Sequence, residues 1–260
     1  MKLLCLNLWG GRQNQILFDY LKEQSVSTDV FCFQEVFDSV TGPNDYHAAH
    51  PKLYSELRAL LPEFESVYAP TYSGWVDLEK VDFEVTEGQA IFVKKPLQIK
   101  NPGLFYIYGS EQTEILPDFS NEPKILQHCL VNIGGVDVLL ANAHGKWHPG
   151  TKLDTPERLE QSKIITTFLK TQSGPKILCG DFNLMPNTES IGLVEQAGLK
   201  NLVKEFNITN TRNEISWREH HNKQAFADYA FTSADIKVNS LSAPYNEVSD
   251  HLPLILEFSI

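Results

Sequence analysis

The chain has few cysteines, a deficit of positive charge and no long hydrophobic run. Its four cysteines lie apart, without CxxC spacing or a neighbouring histidine cluster, which argues against a zinc site. Each lies in an apolar stretch, so we expect buried reduced thiols and hence a cytoplasmic protein. No apolar run has the length of a membrane span. The N-terminal run, residues 1–8, is too short for a signal peptide, although a chain trimmed of its leader would look the same.

Lysine and arginine total 22 against 33 acidic residues, which gives a net charge of −11. Nonspecific capture of long nucleic acid requires basic side chains that replace counterions, so this balance disfavours it. Carboxylates that hold a metal would add to the same negative count and weaken the argument. The 260 residues are 42% hydrophobic and show no linker or repeat, so a single domain over residues 1–260 is predicted.

One apolar stretch that ends in polar side chains organises the sequence. Residues 177–179 are typical of a buried strand, and Gly180 leads from them to Asp181, Phe182 and Asn183. On an extended backbone Asp181 and Asn183 point the same way, while Phe182 points into the core. The alternative is a simple turn, because Gly, Asp and Asn all favour turns.

The rest of the chain alternates apolar runs with helical patterns. Strands are predicted at 2–8, 29–36, 89–95, 97–108, 124–132, 136–144, 227–231, 236–241 and 252–258, and helices at 14–24, 51–61, 156–169 and 188–198. Gly134-Gly135 indicates a hairpin turn, and Thr155 followed by Pro156 indicates a helix start. The acidic and aromatic segment 71–87 lacks a regular pattern and is either a binding loop or a solvated hairpin tip.

Polar side chains recur at or beside the ends of the predicted strands. They are Asn7, Glu35, His144, Asp181, Asn183, Asp250 and His251, and Asp228 lies inside a further predicted strand. Each alone has an ordinary explanation, such as a turn residue or a core histidine, although Asp228 lies within an apolar strand, where an unpaired carboxylate is costly. Together they supply oxygen ligands for a hard cation and a base for water. This favours Mg²⁺ or Mn²⁺ over zinc, and metal-assisted phosphoester hydrolysis.

The motifs also occur in a recognisable order. They are Asn7-Leu8-Trp9, Gln34-Glu35, Asn142-Ala143-His144, Gly180-Asp181-Phe182-Asn183, Asp228-Tyr229 and Ser249-Asp250-His251. The set resembles that of the endonuclease/exonuclease/phosphatase superfamily of deoxyribonuclease-like, metal-dependent phosphoesterases, and it spans residues 3–257. The resemblance implies an α+β fold, a four-layer α/β sandwich in which two mainly antiparallel sheets pack face to face with helices on the outside.

The resemblance implies a metal centre with an adjacent water. Glu35 is expected to be the principal Mg²⁺ ligand, with Asn7 beside it and Asp250 near the metal; Mn²⁺ is possible. Asp181 is expected to orient or deprotonate the attacking water, and Asn183 to steady the phosphate.

Two histidines are expected beside the phosphate. His251 resembles the histidine next to the scissile phosphate, and Asp228 resembles the acid that orients it. His144 resembles the histidine that binds a phosphate oxygen, with Glu87 as a candidate for orienting it.

Substrate contacts are predicted in the segment after His144. Lys146 is a local positive charge, as is Lys152, and Trp147 could stack on a base or an apolar group. Arg158 resembles one half of a recurring Arg…Gln pair in relatives, with a helix-surface ion pair as the alternative.

Two positions depart from the family pattern and weaken the substrate inference. Phe226 lies where many relatives have an arginine, and Gly145 lies where a bulky apolar residue is common. Neither position is a metal ligand, so catalysis remains expected.

The sequence therefore predicts a Mg²⁺-dependent hydrolase of phosphoester bonds, with a phosphodiesterase favoured, that acts by in-line attack of an activated water. The alternatives are a DNA-repair nuclease or tyrosyl-DNA phosphodiesterase-like enzyme, a sphingomyelinase-like lipid phosphodiesterase, and a catalytically silent binding module. The expected partner is a phosphoester substrate: a small diester or monoester, nucleic acid or a lipid headgroup. No obligate protein partner is inferred.

Overall fold

Two six-stranded β-sheets form the body of the protein, and helices cover them. The computed structural model describes residues 1–220 and 224–260. In chain order its strands are β1 Lys2–Asn7, β2 Val30–Asp38, β3 Phe64–Ser73, β4 Trp75–Val76, β5 Glu79–Lys80, β6 Thr86–Lys94, β7 Ile99–Tyr108, β8 Lys124–Ile133, β9 Val136–His144, β10 Lys176–Asp181, β11 Lys200–Asn201, β12 Asp228–Thr232, β13 Lys237–Ser242 and β14 Leu254–Ser259. Its helices are α1 Asn14–Ser25, α2 Leu53–Leu60, α3 Pro156–Thr171, α4 Glu189–Gln196, α5 Leu202–Glu205 and α6 Glu214–His220, with a 3₁₀ turn at Trp9–Gly11.

The first sheet has the order β13-β14-β1-β2-β6-β3, and the second has the order β11-β12-β10-β9-β8-β7. One pair in each sheet is parallel, β1 with β2 and β9 with β10, and the other pairs are antiparallel. Strands β4 and β5 form a separate hairpin. The predicted α+β sandwich of two mainly antiparallel sheets is confirmed.

The two sheets pack face to face over an apolar interior. One buried cluster runs from Leu3 on β1 to Leu140 on β9, and it is crossed by a polar bridge between the sheets. Gln34 donates from its side-chain amide to Asn142 Oδ1 at 2.6 Å, and Asn142 Nδ2 donates to the Phe33 carbonyl at 3.0 Å. Buried amides are tolerated here because they bond to each other and to the backbone.

The four cysteines are all buried in this interior as free thiols. The expectation that they act as small buried hydrophobic groups is therefore confirmed. In the two described ranges, no helix combines the length and the apolar character needed to cross a bilayer.

Local signals in the sequence set the start of α3 and the turn before β9. The Thr155 hydroxyl accepts the backbone N–H of Arg158 at 3.3 Å, and Pro156 occupies the first turn, as the cap motif predicts. Strands β8 and β9 pair around Gly134-Gly135, so the predicted hairpin is present.

Most predicted elements are present with ends shifted by a few residues, but three predictions are wrong in detail. β2 continues to Asp38, so Glu35 lies inside the strand instead of at its end. β12 begins at Asp228, so this carboxylate is on the first residue of the strand instead of inside it. The segment 71–87 is not irregular, because β3, the β4–β5 hairpin and β6 account for most of it.

Candidate active site

A cleft of about 440 Å³ lies at one edge of the sandwich, in the size range of small-molecule sites. The C-terminal ends of β1, β9 and β10 meet there. The start of β12 lies at the same edge because β12 runs antiparallel to β10. Nine of the candidate residues named from the sequence line the cleft: Glu35, Glu87, His144, Trp147, Lys152, Asp181, Asn183, Asp250 and His251.

Gly180 brings the central strand close to its neighbour and so places Asp181 in the cleft. Its φ is +140°, and a Cβ at this position would lie 2.0 Å from the Ala143 carbonyl oxygen on β9, so only glycine fits. In the resulting register Asp181 lies opposite His144 on one side and Asp228 on the other. Three polar side chains thus converge from three adjacent strands.

Glu35 reaches the cleft from a β-bulge in β2. The pairing with β6 shifts between Phe33 and Val36, and Glu35 has a φ of +53°. A bulge changes the direction of a side chain and is common beside functional sites. The bulge turns Glu35 toward the cleft while its neighbour Gln34 points into the interior.

Asn7 lies beneath the cleft and ties two acids together. Its Nδ2 donates to Glu35 Oε1 at 2.8 Å and to Asp181 Oδ2 at 3.1 Å, while its Oδ1 accepts the Trp9 backbone N–H at 2.9 Å. Asn7 therefore supports Glu35 in this arrangement. A direct metal-ligand role for Asn7 stays a prediction.

The donor set fits a hard divalent cation. Ligand atoms of Glu35, His144 and Asp181 lie within 4.8 Å of one another. Loss of hydration and the nearby Asp250 carboxylate raise the pKa of Glu35 to about 7. Acids crowded in this way are relieved by a bound cation, which is often the largest local charge in such a site. One oxygen of Asp250 accepts from Arg212 at 2.6 Å and the other lies 3.4 Å from Ser249 Oγ; the residue lines the cleft and is a candidate ligand.

His251 is held by a buried acid in the way the sequence predicts. Its Nδ1 lies 2.8 Å and 3.0 Å from the two carboxylate oxygens of Asp228, and its Nε2 lies 3.7 Å from Asp181 Oδ2. Burial opposes protonation, but the Asp228 and Asp250 carboxylates prevail and raise the pKa of His251 to about 9. The ring therefore carries a proton at neutral pH and can donate toward the cleft.

Asp181 and Asn183 form one hydrogen-bonded unit beyond the end of β10. The Asn183 backbone N–H donates to Asp181 Oδ1 at 2.8 Å, and Lys152 Nζ donates to Asn183 Oδ1. Burial works against the charge on Asp181, but His251 and Lys152 hold its pKa well below the usual value. Asp181 is thus an ionised acceptor for a proton donor such as water.

Gly145 explains one departure from the family pattern. A Cβ at this position would lie 2.5 Å from the Phe182 carbonyl oxygen, so a bulky residue cannot occupy it. The Gly145 carbonyl also accepts from Asn183 Nδ2 at 3.1 Å. The loop after His144 therefore packs directly against the residues that follow β10.

His144 lies against a buried lysine that the sequence did not indicate. Lys124 Nζ is 3.3 Å from His144 Nε2 and 2.7 Å from Glu122 Oε1. Burial and the Lys124 charge lower the pKa of His144 well below its usual value, so the ring is neutral. The Glu87 carboxylate is 3.8 Å from His144 Nδ1, too far for a direct hydrogen bond, so the orienting role of Glu87 stays a prediction.

Of the predicted substrate contacts, Lys146 and Arg158 lie outside the cleft lining, whereas Lys152 lines the cleft and so does Trp147. Its Nε1 donates to Glu122 Oε2 at 2.8 Å, which fixes the indole at the wall. Lys146 turns away: its ammonium binds the Ser120 carbonyl and lies 3.8 Å from the centre of the Tyr108 ring. The prediction that Lys146 is a positive charge facing the site is therefore wrong.

Arg158 is fully buried, so both interpretations taken from the sequence need correction. Its guanidinium donates to four backbone carbonyl oxygens of the loop before α3, those of Lys146, Trp147, Pro149 and Leu153, at 2.6 to 3.0 Å. It makes no surface ion pair and lies outside the cleft lining. Arg158 instead fixes the loop that carries Trp147 and Lys152.

Two further charged groups in the cleft gave no local sequence signal. Arg212 lies beside Asp250, so the cleft has the guanidinium that position 226 lacks. Arg12 pairs with Asp77 of the β4–β5 turn and lies over the Trp9 ring. Both side chains of this ion pair line the cleft, and the pair links the β4–β5 hairpin to the segment after β1.

The sequence pattern of the Endonuclease/Exonuclease/phosphatase family matches residues 4–251. The chain belongs to this family. The comparison with curated proteins finds no match.

Solved structures of the same fold cover the chain from end to end. A mannosyl-6-phosphatase from Bacteroides thetaiotaomicron is 17% identical with a TM-score of 0.70, and both chains are covered completely. A family protein from Leptotrichia buccalis is 18% identical with a TM-score of 0.73, again with complete coverage of both. The human Nocturnin catalytic domain is 21% identical with a TM-score of 0.69; the match covers 100% of this chain and 94% of that one. At these identities the likeness supports the fold alone.

Proposed function

We propose that the protein is a Mg²⁺-dependent hydrolase of phosphoester bonds that uses a water molecule for in-line attack. One observation carries the proposal: Asp181 Oδ2 lies 3.7 Å from His251 Nε2, and both residues line one cleft with the carboxylates of Glu35 and Asp250. A base, an acid and a cation site thus share one cleft, which is the equipment that phosphoryl transfer needs.

Each residue has a task in this reaction. Held by Glu35 and Asp250, Mg²⁺ would neutralise charge on the phosphoryl group. Asp181 accepts a hydrogen bond from the attacking water and takes its proton as the water oxygen bonds to phosphorus and the bond from phosphorus to the leaving ester oxygen breaks. His251, kept in place by Asp228, donates from Nε2 to a phosphoryl oxygen as negative charge develops there. Lys152 holds Asn183, which keeps Asp181 oriented through the 2.8 Å backbone contact.

A small substrate fits this cleft better than a nucleic acid duplex. Its volume of about 440 Å³ suits a small molecule. The net charge of −11 offers little attraction for a polyanion. One protein of the same fold is a mannosyl-6-phosphatase, an enzyme named for a small phosphorylated sugar. The lipid, DNA-repair and binding-module alternatives and the cytoplasmic location stay predictions.

The test is hydrolysis of 4-nitrophenyl phosphate and of methyl 4-nitrophenyl phosphate with Mg²⁺, Mn²⁺ or EDTA. We expect turnover that needs the divalent cation and that is lost in Asp181→Ala. Turnover that continued in EDTA, or that Asp181→Ala left intact, would contradict the proposal.

We expect Glu35→Gln to weaken divalent-cation binding by at least roughly tenfold, because the amide removes a charged ligand. Mn²⁺ titration followed by electron paramagnetic resonance measures this directly. Glu65→Gln, at an exposed position on β3, is the matched control. Equal Mn²⁺ affinity in the two variants would remove Glu35 from the metal centre.

A further inference from the structure

We propose that Lys124 determines substrate specificity: it binds a non-bridging phosphate oxygen and selects phosphomonoesters over phosphodiesters. The inference rests on the proposed function and goes further, because it names the substrate class. The predicted phosphodiesterase is then the competing outcome.

Lys124 is a buried cation that faces the cleft. It is the first residue of β8, its side chain is 1% exposed, and it lines the cleft. Its ammonium contacts Glu122 Oε1 at 2.7 Å and His144 Nε2 at 3.3 Å. An ammonium has three N–H donors, so these two contacts among the described residues leave one donor for a ligand.

The contact with His144 determines which side chain can donate a hydrogen bond to a phosphate oxygen in this part of the cleft. A lysine ammonium has no acceptor, so His144 Nε2 must accept in this contact and its proton lies on Nδ1. The nitrogen that faces Glu35 at 3.8 Å therefore has no proton to give to a phosphate oxygen. The donor expected of His144 is supplied here by Lys124.

Lys124 also lies close enough to the reacting group. His144 Nε2 is 3.8 Å from Glu35 Oε1 and 4.0 Å from Asp181 Oδ2, the two carboxylates assigned to the metal and to the water. A phosphate bound between them lies beside Nε2. Because Lys124 Nζ is 3.3 Å from this nitrogen, the same phosphate oxygen is within its reach.

A cation at this position suits a monoester. With a second pKa near 6, a phosphomonoester is close to a dianion at neutral pH and has three non-bridging oxygens; a diester is a monoanion with two. Lys152 and Arg212 already line the cleft beside Asn183 and Asp250. Lys124 adds a separate donor beside His144, which the third oxygen can use.

Glu122 prepares Lys124 for this role in the free protein. Glu122 is fixed by Lys124 on one oxygen and by Trp147 Nε1 at 2.8 Å on the other. The ammonium is therefore already ordered, which lowers the entropic cost of binding the ligand.

The test compares kcat/KM for 4-nitrophenyl phosphate and methyl 4-nitrophenyl phosphate, which release the same alcohol. We expect the wild type to prefer the monoester. Lys124→Met should lower monoester kcat/KM about 10- to 100-fold more than diester kcat/KM, since a charge-assisted hydrogen bond is lost only in the monoester complex. Lys100→Met, at an exposed salt bridge with Asp137, controls for the change in net charge.

The pair variant Lys124→Met/Glu122→Gln guards against misfolding, because it also removes the carboxylate that Lys124 pairs with, and Gln still accepts from Trp147. It should show the same loss of selectivity with native circular dichroism. An equal loss on both esters, or a wild type that prefers the diester, would overturn the proposal.

A wild type that hydrolyses neither ester would count against the proposed function, and binding would then decide the role of Lys124. Calorimetry with inorganic phosphate and Mn²⁺ should show binding by the wild type and Lys100→Met that is lost in Lys124→Met. Equal binding by all three proteins, or no binding by the wild type, would overturn the proposal.

Discussion

Asp181→Asn is expected to lower kcat by about 10³-fold or more while the protein stays folded, because the amide cannot accept the proton of the attacking water. The carboxylate accepts the Asn183 backbone N–H at 2.8 Å and Asn7 Nδ2 at 3.1 Å, and asparagine keeps its shape. Substrate binding should change much less than kcat. Steady-state kinetics on the responsive ester, with thermal unfolding as the check on folding, measures both.

Asp137→Asn is the matched control for this change. Asp137 likewise accepts from an amide, Asn132 Nδ2 at 2.6 Å, but it lies on β9 outside the cleft lining. The kcat of the Asp137→Asn variant should equal that of the wild type. An Asp181→Asn enzyme that kept more than about a tenth of wild-type kcat would show that another group takes the proton.

His251→Gln is expected to lower kcat by about 10²- to 10⁴-fold, because the protonated ring that donates to the phosphoryl group is lost. Glutamine can still donate to Asp228, which avoids leaving a buried carboxylate alone. The matched control is His128→Gln, in which a half-buried histidine packed against Phe105 and Phe168 on the outer side is replaced. The control should retain wild-type kcat.

The Asp228 variant separates orientation from direct chemistry. If Asp228 acts through His251, then Asp228→Asn should cause little further loss in a protein that already carries His251→Gln, since residues that act as a unit are not additive. Losses that simply multiplied in the double variant would show that Asp228 acts independently. Near-normal turnover in His251→Gln alone would contradict the assignment of the whole site.

The sequence predicted the fold and the acids of the cleft because both depend on local patterns. Strands end where apolar runs end, and polar side chains at those ends share one edge of a sheet. The bulge at Glu35 was missed because a continuous apolar run carries no mark of a one-residue shift in pairing. Its destination in the cleft was nevertheless predicted, since the resemblance identified the residue directly.

Apart from Lys152, the cations of the cleft were predicted poorly because their positions depend on contacts distant in sequence. Lys146 and Arg158 are close in sequence to the site, yet one turns toward Ser120 and the other is buried under the loop. Lys124 and Arg212 are far from any motif and reach the cleft only through the pairing of β8 with β9 and the contact with Asp250. Composition and spacing carry no information about such contacts.

The polar bridge inside the sandwich has a consequence for the alignment of the two sheets. Gln34 precedes Glu35, and Asn142 lies two residues before His144. The bridge therefore ties the sheet that carries Glu35 to the sheet that carries His144. Apolar contacts are non-directional and would tolerate a small sliding of one layer over the other, whereas hydrogen bonds have a narrow range of length and angle. The bridge therefore prevents the two sheets from sliding over each other and holds the two halves of the cleft at a fixed offset.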